Sequence, residues 1–160
     1  MSLRYAALLL LVLQLSAAPA LADVDRIVVT KAERKLRLFD GETLVRAYDI
    51  HLGSAPEGRK QVEGDGRTPE GLYRISGRNP ASSYTLSLRI SYPEPWDLAA
   101  AMKRGLSPGG DIMIHGQPNA LPDGVTLPWD WTAGCIAVSN DAIREIWSLV
   151  PDGTTIEIRP

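Results

Sequence analysis

The chain is poor in the residues that build disulfides and metal sites. Its 160 residues include one cysteine, Cys135, and two histidines, His51 and His115. A single cysteine excludes an internal disulfide. A zinc site would have to recruit carboxylates from unrelated segments, because no metal-ligand spacing is present, and we therefore expect no metal site.

An excess of positive charge is also missing. Lys and Arg number 17 against 19 Asp and Glu, the formal net charge is −2, and no basic block occurs. Proteins that bind nucleic acid concentrate positive charge on one face or tail, so we expect no nucleic-acid partner. Beyond residue 22 no segment is apolar enough to cross a membrane, and we expect no stable span once the N-terminus is removed.

The N-terminus has the three parts of an export signal. Arg4 supplies a positive charge, residues 6–15 form an apolar run broken only by Gln14, and residues 20–22 (ALA) read as a cleavage site. This pattern predicts a signal peptide over 1–22, cleaved before Asp23, and one domain over 23–160 in the periplasm or cell envelope. The alternative is an uncleaved signal anchor, although the run is short for a bilayer.

Strand signals dominate the rest of the chain. Residues 26–30 form a β-branched run, and polar and apolar residues alternate over 35–39, 71–75 and 86–90. An Asp-Gly turn at 40–41 predicts a hairpin with a return strand over 44–50. Two further strands are expected over 111–114, which leads directly into His115, and over 154–158. The fold class is therefore mainly β.

Two short helices complete the prediction. The first spans about 95–104, with Pro95 at its start and Gly105 as its stop. The second spans about 141–150, capped by Ser139 or Asn140, with apolar residues on one face at helical spacing. Trp147 lies on that face, and we expect it in the core.

Cys135 has three possible roles in an exported protein: an inert buried thiol, half of an intermolecular bridge, or a nucleophile. His115 stands 20 positions upstream, and Gly134 permits a tight turn that exposes the sulfur. An imidazole beside a thiol favours the thiolate, so an activated Cys135 should have a pKa below the ~8.5 of free cysteine. His51 belongs to no such pattern, and we expect it to be structural.

Four segments together resemble the L,D-transpeptidase catalytic domain, the YkuD-like family of bacterial cell-wall enzymes. They are His115-Gly116, residues 132–136 (TAGCI), Asn140 at the start of a helix, and residues 66–73 (GRTPEGLY). The resemblance extends over about residues 26–159. It implies a β-sandwich with the catalytic cysteine in a cleft.

The resemblance also implies roles for individual residues. Cys135 is the nucleophile, and His115 is the general base and acid, oriented by the backbone carbonyl of Gly116. The Cys135 N–H, with help from Gly134 or a neighbour, forms the oxyanion hole.

Three further residues are candidates for substrate binding. The Thr132 hydroxyl either holds the catalytic turn or contacts substrate. Trp131 and Tyr92 either stack on substrate or pack in the protein. Many family members carry arginine two residues after the cysteine, and Ala137 stands there in this chain, which leaves the choice of acceptor open.

The implied activity is L,D-transpeptidation of peptidoglycan stem peptides through a thioacyl-enzyme, with release of terminal D-alanine. The resemblance also implies that this activity needs no metal and no organic cofactor. One alternative is hydrolysis, by an L,D-carboxypeptidase or by an amidase that cuts a wall-attached protein partner. Another is a non-catalytic wall-binding domain with an inert thiol.

The N-terminal pattern makes a first prediction. Protein recovered from the cell envelope should begin at Asp23, because Ala20 and Ala22 suit the small pockets of a signal peptidase. N-terminal sequencing measures this directly. A chain that begins at Met1 in the membrane fraction would indicate an anchor instead.

Overall fold

A computed structural model describes residues 23–122 and 124–160. Strands and helices follow in the order β1 (Arg26–Thr30), β2 (Lys35–Asp40), β3 (Thr43–Asp49), β4 (Gly71–Asn79), β5 (Ser87–Ile90), α1 (Pro95–Met102), β6 (Met113–His115), β7 (Ile136–Ala137), α2 (Asn140–Leu149) and β8 (Thr155–Arg159). The mainly β class with two short helices is confirmed.

The eight strands form one curled sheet in the order β3-β2-β1-β8-β4-β5-β6-β7. β4 belongs to both halves, because its residues 71–74 pair with β8 and its residues 75–79 pair with β5. The two layers expected of a sandwich are thus parts of one continuous sheet. The β1–β8 and β6–β7 pairs are parallel, and the other neighbours are antiparallel.

Alternation along the strands places the apolar side chains in one core. Leu36 and Leu38 of β2 are fully buried, as is Ile156 of β8, while the residues between them are partly exposed. Burying a side chain of this size stabilises a fold by about 1.5–3 kcal/mol. The predicted period-two alternation therefore identified correctly which side chains of these strands face the core.

Helix α2 closes the core on the side next to β5. Ser139 is its N-cap, and its Oγ accepts a hydrogen bond from the Ala142 N–H at 3.1 Å. Ile143 and Ile146 are fully buried, and Trp147 packs against them under the Arg78 guanidinium, 4.9 Å from its ring centre. The predicted core role of Trp147 is confirmed.

A buried ion pair anchors the long connection between β3 and β4. The Lys31 side chain is 4% exposed, and its Nζ lies 2.8 Å from Glu70 Oε1. The same ammonium donates to Gly58 O at 2.7 Å and to Thr68 O at 3.3 Å. Because a buried charge is costly unless its donors are satisfied, these contacts fix the connection against the end of β1.

The predicted signal peptide over residues 1–22 lies outside the described residues. Within residues 23–122 and 124–160, no helix has the length and apolar character needed to cross a membrane.

Candidate active site

Two short parallel strands bring the motif residues together. β6 and β7 pair in the register Ile114 with Ile136 and His115 with Ala137. Cys135 immediately precedes β7, so it lies beside the strand that ends at His115. Both residues line one cavity of about 430 Å³. Further residues of its lining are Ser82, Tyr84, Ser87, Asp111, Met113 and Trp131.

His115 is held by the carbonyl that follows it. Its Nδ1 lies 2.7 Å from Gly116 O, and the residue is 4% exposed. A carbonyl can only accept, so Nδ1 carries the proton and Nε2 keeps a free lone pair. Burial lowers the pKa of His115, and the hydrogen bond to Gly116 offsets part of that effect. The resting imidazole is therefore neutral at neutral pH.

Position 116 has no room for a side chain. A Cβ on Gly116 would lie 2.7 Å from Asn140 Oδ1 and 3.0 Å from Tyr84 O. Asn140 Oδ1 in turn accepts the Gln117 N–H and the Thr85 hydroxyl, both at 2.8 Å. The first residue of α2 thus positions the carbonyl that orients the histidine.

Two aromatic rings flank His115. The Tyr84 ring centre lies 4.6 Å from the imidazole, and the Trp131 ring meets it edge to face at 5.5 Å. Tyr84 and Trp131 also contact each other at 5.8 Å. The Tyr84 and Trp131 rings restrict the imidazole and keep water from its faces. Trp131 thus lines the cleft and packs against His115, and both roles considered for it stay open, whereas nothing in the sequence singled out Tyr84.

The turn before Cys135 is held by a threonine hydroxyl. Thr132 Oγ1 accepts the Gly134 N–H at 3.1 Å and donates to Cys135 O at 2.8 Å. Gly134 has φ +133°, and a Cβ there would lie 2.6 Å from Arg67 O. Of the two roles expected for Thr132, the structure shows the one that holds the turn.

The same contacts bear on the predicted oxyanion donors. The Gly134 N–H already donates to Thr132, so it is not free to bind an oxyanion. The Cys135 N–H donates to no backbone or side-chain acceptor in the described part of the chain. The Cys135 N–H therefore remains available to bind an oxyanion, whereas the Gly134 N–H does not.

The Cys135 thiol rests in its protonated form. Its Sγ lies 3.5 Å from Asp111 O. Burial raises the pKa of the thiol, and the Asp111 carboxylate raises it further, while the Met113 N–H and the Lys60 ammonium lower it in part. The expectation of a depressed pKa was wrong, because the cleft desolvates the thiolate and His115 is neutral.

The Asp65 carboxylate accepts several hydrogen bonds in the wall behind this turn, and we call this group of contacts the Asp65 hub. Asp65 accepts the backbone N–H groups of Gln61, Val62 and Arg67 at 2.7–3.2 Å, and the Lys60 ammonium at 2.9 Å. Burial raises the pKa of Asp65, but these hydrogen bonds outweigh it and lower the pKa to about 2. Asp65 thereby places Arg67 O against Gly134.

Three residues considered in the sequence lie outside the cleft. Tyr92 is 5% exposed, and its hydroxyl donates to Pro108 O at 2.8 Å, so its predicted role in substrate binding is not supported. His51 and Ala137 exchange two backbone hydrogen bonds of 2.8 Å, and Ala137 is fully buried. Position 137 therefore does not face a bound substrate, and its alanine does not determine acceptor choice by direct contact.

The hub makes a stability prediction with a definite sign. The pKa of Asp65 in the folded protein lies below the ordinary ~3.9 of an aspartate. The ionised carboxylate therefore contributes fully to the free energy of unfolding above pH ~3.9, and this contribution disappears as pH falls through about 2. Asp65→Asn should lower the free energy of unfolding by up to about 2 kcal/mol at pH 7, and by much less at pH 2. Denaturant titrations at both pH values measure this.

Asp49→Asn is the matched control, because that carboxylate is 83% exposed and its one ion-pair partner among the described residues is Lys35. Its substitution should leave the unfolding midpoint nearly unchanged at both pH values. An Asp65→Asn loss that is equally large at pH 2 would show that packing, not charge, stabilises the hub.

The protonated thiol makes a third prediction. The rate of Cys135 alkylation by iodoacetamide should rise through an inflection above the ~8.5 of free cysteine, because burial opposes the thiolate. Intact mass gives the rate at each pH, and Cys135→Ala provides a background without any thiol. An inflection well below 8.5 would mean that the resting site holds a thiolate–imidazolium pair.

Comparison with known proteins agrees with this arrangement. The family model YkuD, described as an L,D-transpeptidase catalytic domain, matches residues 24–158. YafK of Escherichia coli (strain K12), provisionally named an L,D-transpeptidase, is 32% identical over 130 residues, which cover 78% of this chain and 46% of YafK. The chain thus spans about half the length of this curated relative.

Solved structures show the same fold. The helical cell shape determining protein Pgp2 of Campylobacter jejuni is 27% identical with a TM-score of 0.67, over 84% of this chain and 47% of Pgp2. Bd1075 of Bdellovibrio bacteriovorus is 29% identical with a TM-score of 0.59, over 91% of this chain and 50% of Bd1075. Because the family model covers nearly all of the described residues, the chain belongs to the YkuD family of L,D-transpeptidase catalytic domains.

Proposed function

We propose that the domain is a cysteine acyl-transferase that acts on peptidoglycan stem peptides in the periplasm or cell envelope. The observation that carries the proposal is the single cavity that contains both Cys135 and His115, with the imidazole oriented by Gly116 O. A nucleophile, a base and a group that orients the base are the parts that covalent acyl transfer requires.

The first step forms a thioester. As Sγ attacks the carbonyl carbon of the third stem residue, at the L-centre of its diamino acid, His115 Nε2 takes the thiol proton. The Cys135 N–H donates to the developing oxyanion. The C–N bond to the terminal D-alanine then breaks, His115 returns the proton to the leaving amine, and the acyl group remains on Sγ.

Neutral resting groups suit this sequence of events. A buried thiolate–imidazolium pair would be desolvated before any substrate arrived. A neutral pair avoids that cost and separates charge only as the carbonyl receives the sulfur. The lowered pKa of His115 also makes its protonated form a good donor to the departing amine.

The second step regenerates the thiol. An amine from another stem attacks the thioester carbon, the C–S bond breaks, and the amine proton passes through His115 to Sγ. The product is a 3→3 crosslink. Water in place of the amine would give a carboxylate instead, which is the outcome for an L,D-carboxypeptidase or for an amidase acting on a wall-attached protein.

The fourth prediction tests the nucleophile. Cys135→Ala should release D-alanine from a disaccharide-tetrapeptide at least about a thousandfold more slowly than the parent, because no other thiol can form the acyl-enzyme. Its thermal midpoint should change little, since Cys135 lies in a turn and outside the buried apolar core. His51→Ala is the matched control and should keep the parental rate, because His51 does not line the cavity.

The products distinguish the alternatives. Mass analysis of the parent reaction should show crosslinked dimer as well as free D-alanine. Tripeptide as the sole product, or cleavage of a wall–protein linkage, would show that the site catalyses hydrolysis and not transfer. Retained D-alanine release by Cys135→Ala would remove the nucleophile assignment, and no release by the parent would favour a wall-binding domain.

A further inference from the structure

The segment that leads into the catalytic turn is attached to the domain at Asp130. Residues 124–129 run along the surface, and all of them except Leu127 are exposed. The Asp130 side chain is 17% exposed, and its Oδ1 accepts the Leu52 N–H at 2.8 Å. Because Leu52 is fully buried in the core, this hydrogen bond ties the end of an exposed segment to a fixed point.

Thr132 is attached to the same stretch of backbone. Its N–H donates to Leu52 O at 3.1 Å, and its carbonyl accepts the Ser54 N–H at 3.0 Å. The Thr132 hydroxyl is also the group that holds the catalytic turn. Asp130 and Thr132 therefore bond to residues 52–54 on either side of Trp131.

The Trp131 indole has no polar anchor of its own. Its Nε1 is buried without a hydrogen-bond partner in residues 23–122 and 124–160. Its ring nevertheless meets His115 edge to face at 5.5 Å. Buried polar groups normally take part in fixing a side chain through their hydrogen bonds. The place of this indole against the imidazole thus depends on packing and on the attachment of its neighbours, Asp130 and Thr132.

An arginine from a distant turn holds the Asp130 carboxylate. Arg34 Nε and Nη2 donate to Asp130 Oδ2 at 3.1 and 2.7 Å, and the two residues are 96 positions apart. Arg34 Nη1 also donates to Lys31 O, and Arg34 O accepts the Ile50 N–H at 3.0 Å. A two-point contact between a guanidinium and a carboxylate fixes direction as well as distance. Arg34 therefore orients the carboxylate that binds Leu52.

The backbone of Arg34 gives an independent reason to look for a role. Its φ is +52°, in the left-handed region that favours glycine and is strained for other residues. Strained residues of this kind persist where the surrounding structure requires them. Glycine would relieve the strain at this turn but would provide no side chain. The contacts of the Arg34 side chain identify what glycine could not supply, namely the pair with Asp130.

Resting on the function proposed above, we propose that Arg34 and Asp130 are positioning residues for the catalytic site. The pair holds residues 130–132 against residues 52–54, so that Trp131 shields His115 from water and Thr132 holds the turn before the nucleophile. Neither Arg34 nor Asp130 lines the cavity of the nucleophile. Their effect on catalysis therefore passes through Trp131 and Thr132 and not through contact with substrate.

The first test needs no substrate, because NMR titration follows the His115 ring directly. In the parent, the pKa of His115 should lie below the ordinary ~6.5, since burial lowers it. In Arg34→Ala the segment that carries Trp131 loses its anchor, and water reaches the imidazole. The pKa of His115 should then rise at least about halfway back to ~6.5.

Matched variants separate the role of the pair from a general loss of charge. Arg34→Lys keeps the charge but not the two-point contact, so it should restore the parental titration only in part. Arg37→Ala is the control, because Arg37 lies in the adjacent strand β2, is 28% exposed and also pairs with an acid, Glu33. It should leave the His115 titration as in the parent.

The second test is kinetic. Arg34→Ala should lower kcat for D-alanine release by about tenfold to a hundredfold, the loss that follows from a small misplacement of catalytic groups. KM should change by less than about twofold, because the pair contacts no substrate. A purely stabilising pair would lower the thermal midpoint and leave both the kcat of the folded protein and the His115 titration unchanged.

The two tests fail separately. A shifted His115 titration in Arg34→Ala supports the positioning role even if the parent releases no D-alanine, in which case only the proposed function is lost. A parental titration in folded Arg34→Ala overturns the positioning role while D-alanine release still stands. If Arg34→Ala does not fold, Asp130→Asn decides in the same way, because its side-chain oxygen can still accept the Leu52 N–H while the charge that pairs with Arg34 is gone.

Discussion

The site depends on the parallel pairing of two very short strands. β6 has three residues and β7 has two, and they meet at only two residue pairs. Short parallel strands have little stability of their own. Here they are held because Ile114 and Ile136 are fully buried in the core and β5 pairs with the other edge of β6. The core thus fixes the relative positions of His115 and Cys135, and the loops around them determine the finer geometry of the site.

Burial of the same region determines its chemistry. The cleft wall of Tyr84 and Trp131 keeps water from the imidazole, and desolvation favours the neutral forms of both His115 and Cys135. The protein compensates with fixed dipoles, namely the Gly116 carbonyl at His115 and backbone N–H groups near the sulfur. Such preorganised groups act most strongly where water is excluded. In the proposed mechanism, proton transfer then belongs to the reaction itself and not to the resting protein.

Sequence patterns predicted the elements whose signal is local. Local patterns located seven of the eight described strands, three of them (β2, β4 and β5) by period-two alternation, and the spacing of Ile143 and Ile146 located α2. The motif residues around Cys135 and His115 do lie together, as the family resemblance implies. β7 was missed, because two residues cannot show a period. The role of Tyr92 was left open, because its position between Ser91 and Pro93 is compatible both with substrate binding and with packing in the protein.

Other features of the site arise only in three dimensions. The Arg34–Asp130 pair joins residues 96 positions apart, and the Asp65 hub depends on a turn of the backbone that its sequence does not specify. Thr132 shows the limit most clearly, since its hydroxyl accepts from Gly134 and donates to Cys135 O only because the turn brings both groups within reach. Hydrogen bonds of this kind depend on geometry and not on residue type alone.

The most direct test of the account is the mass of the acyl-enzyme. Protein quenched during reaction with a stem tetrapeptide and then digested should carry a tripeptide on the fragment that contains Cys135, joined through a bond that hydroxylamine cleaves. That result would establish attack by Cys135 at the third stem residue. D-alanine release with no adduct on that fragment, under conditions that trap thioesters, would contradict the central claim that Cys135 is the nucleophile.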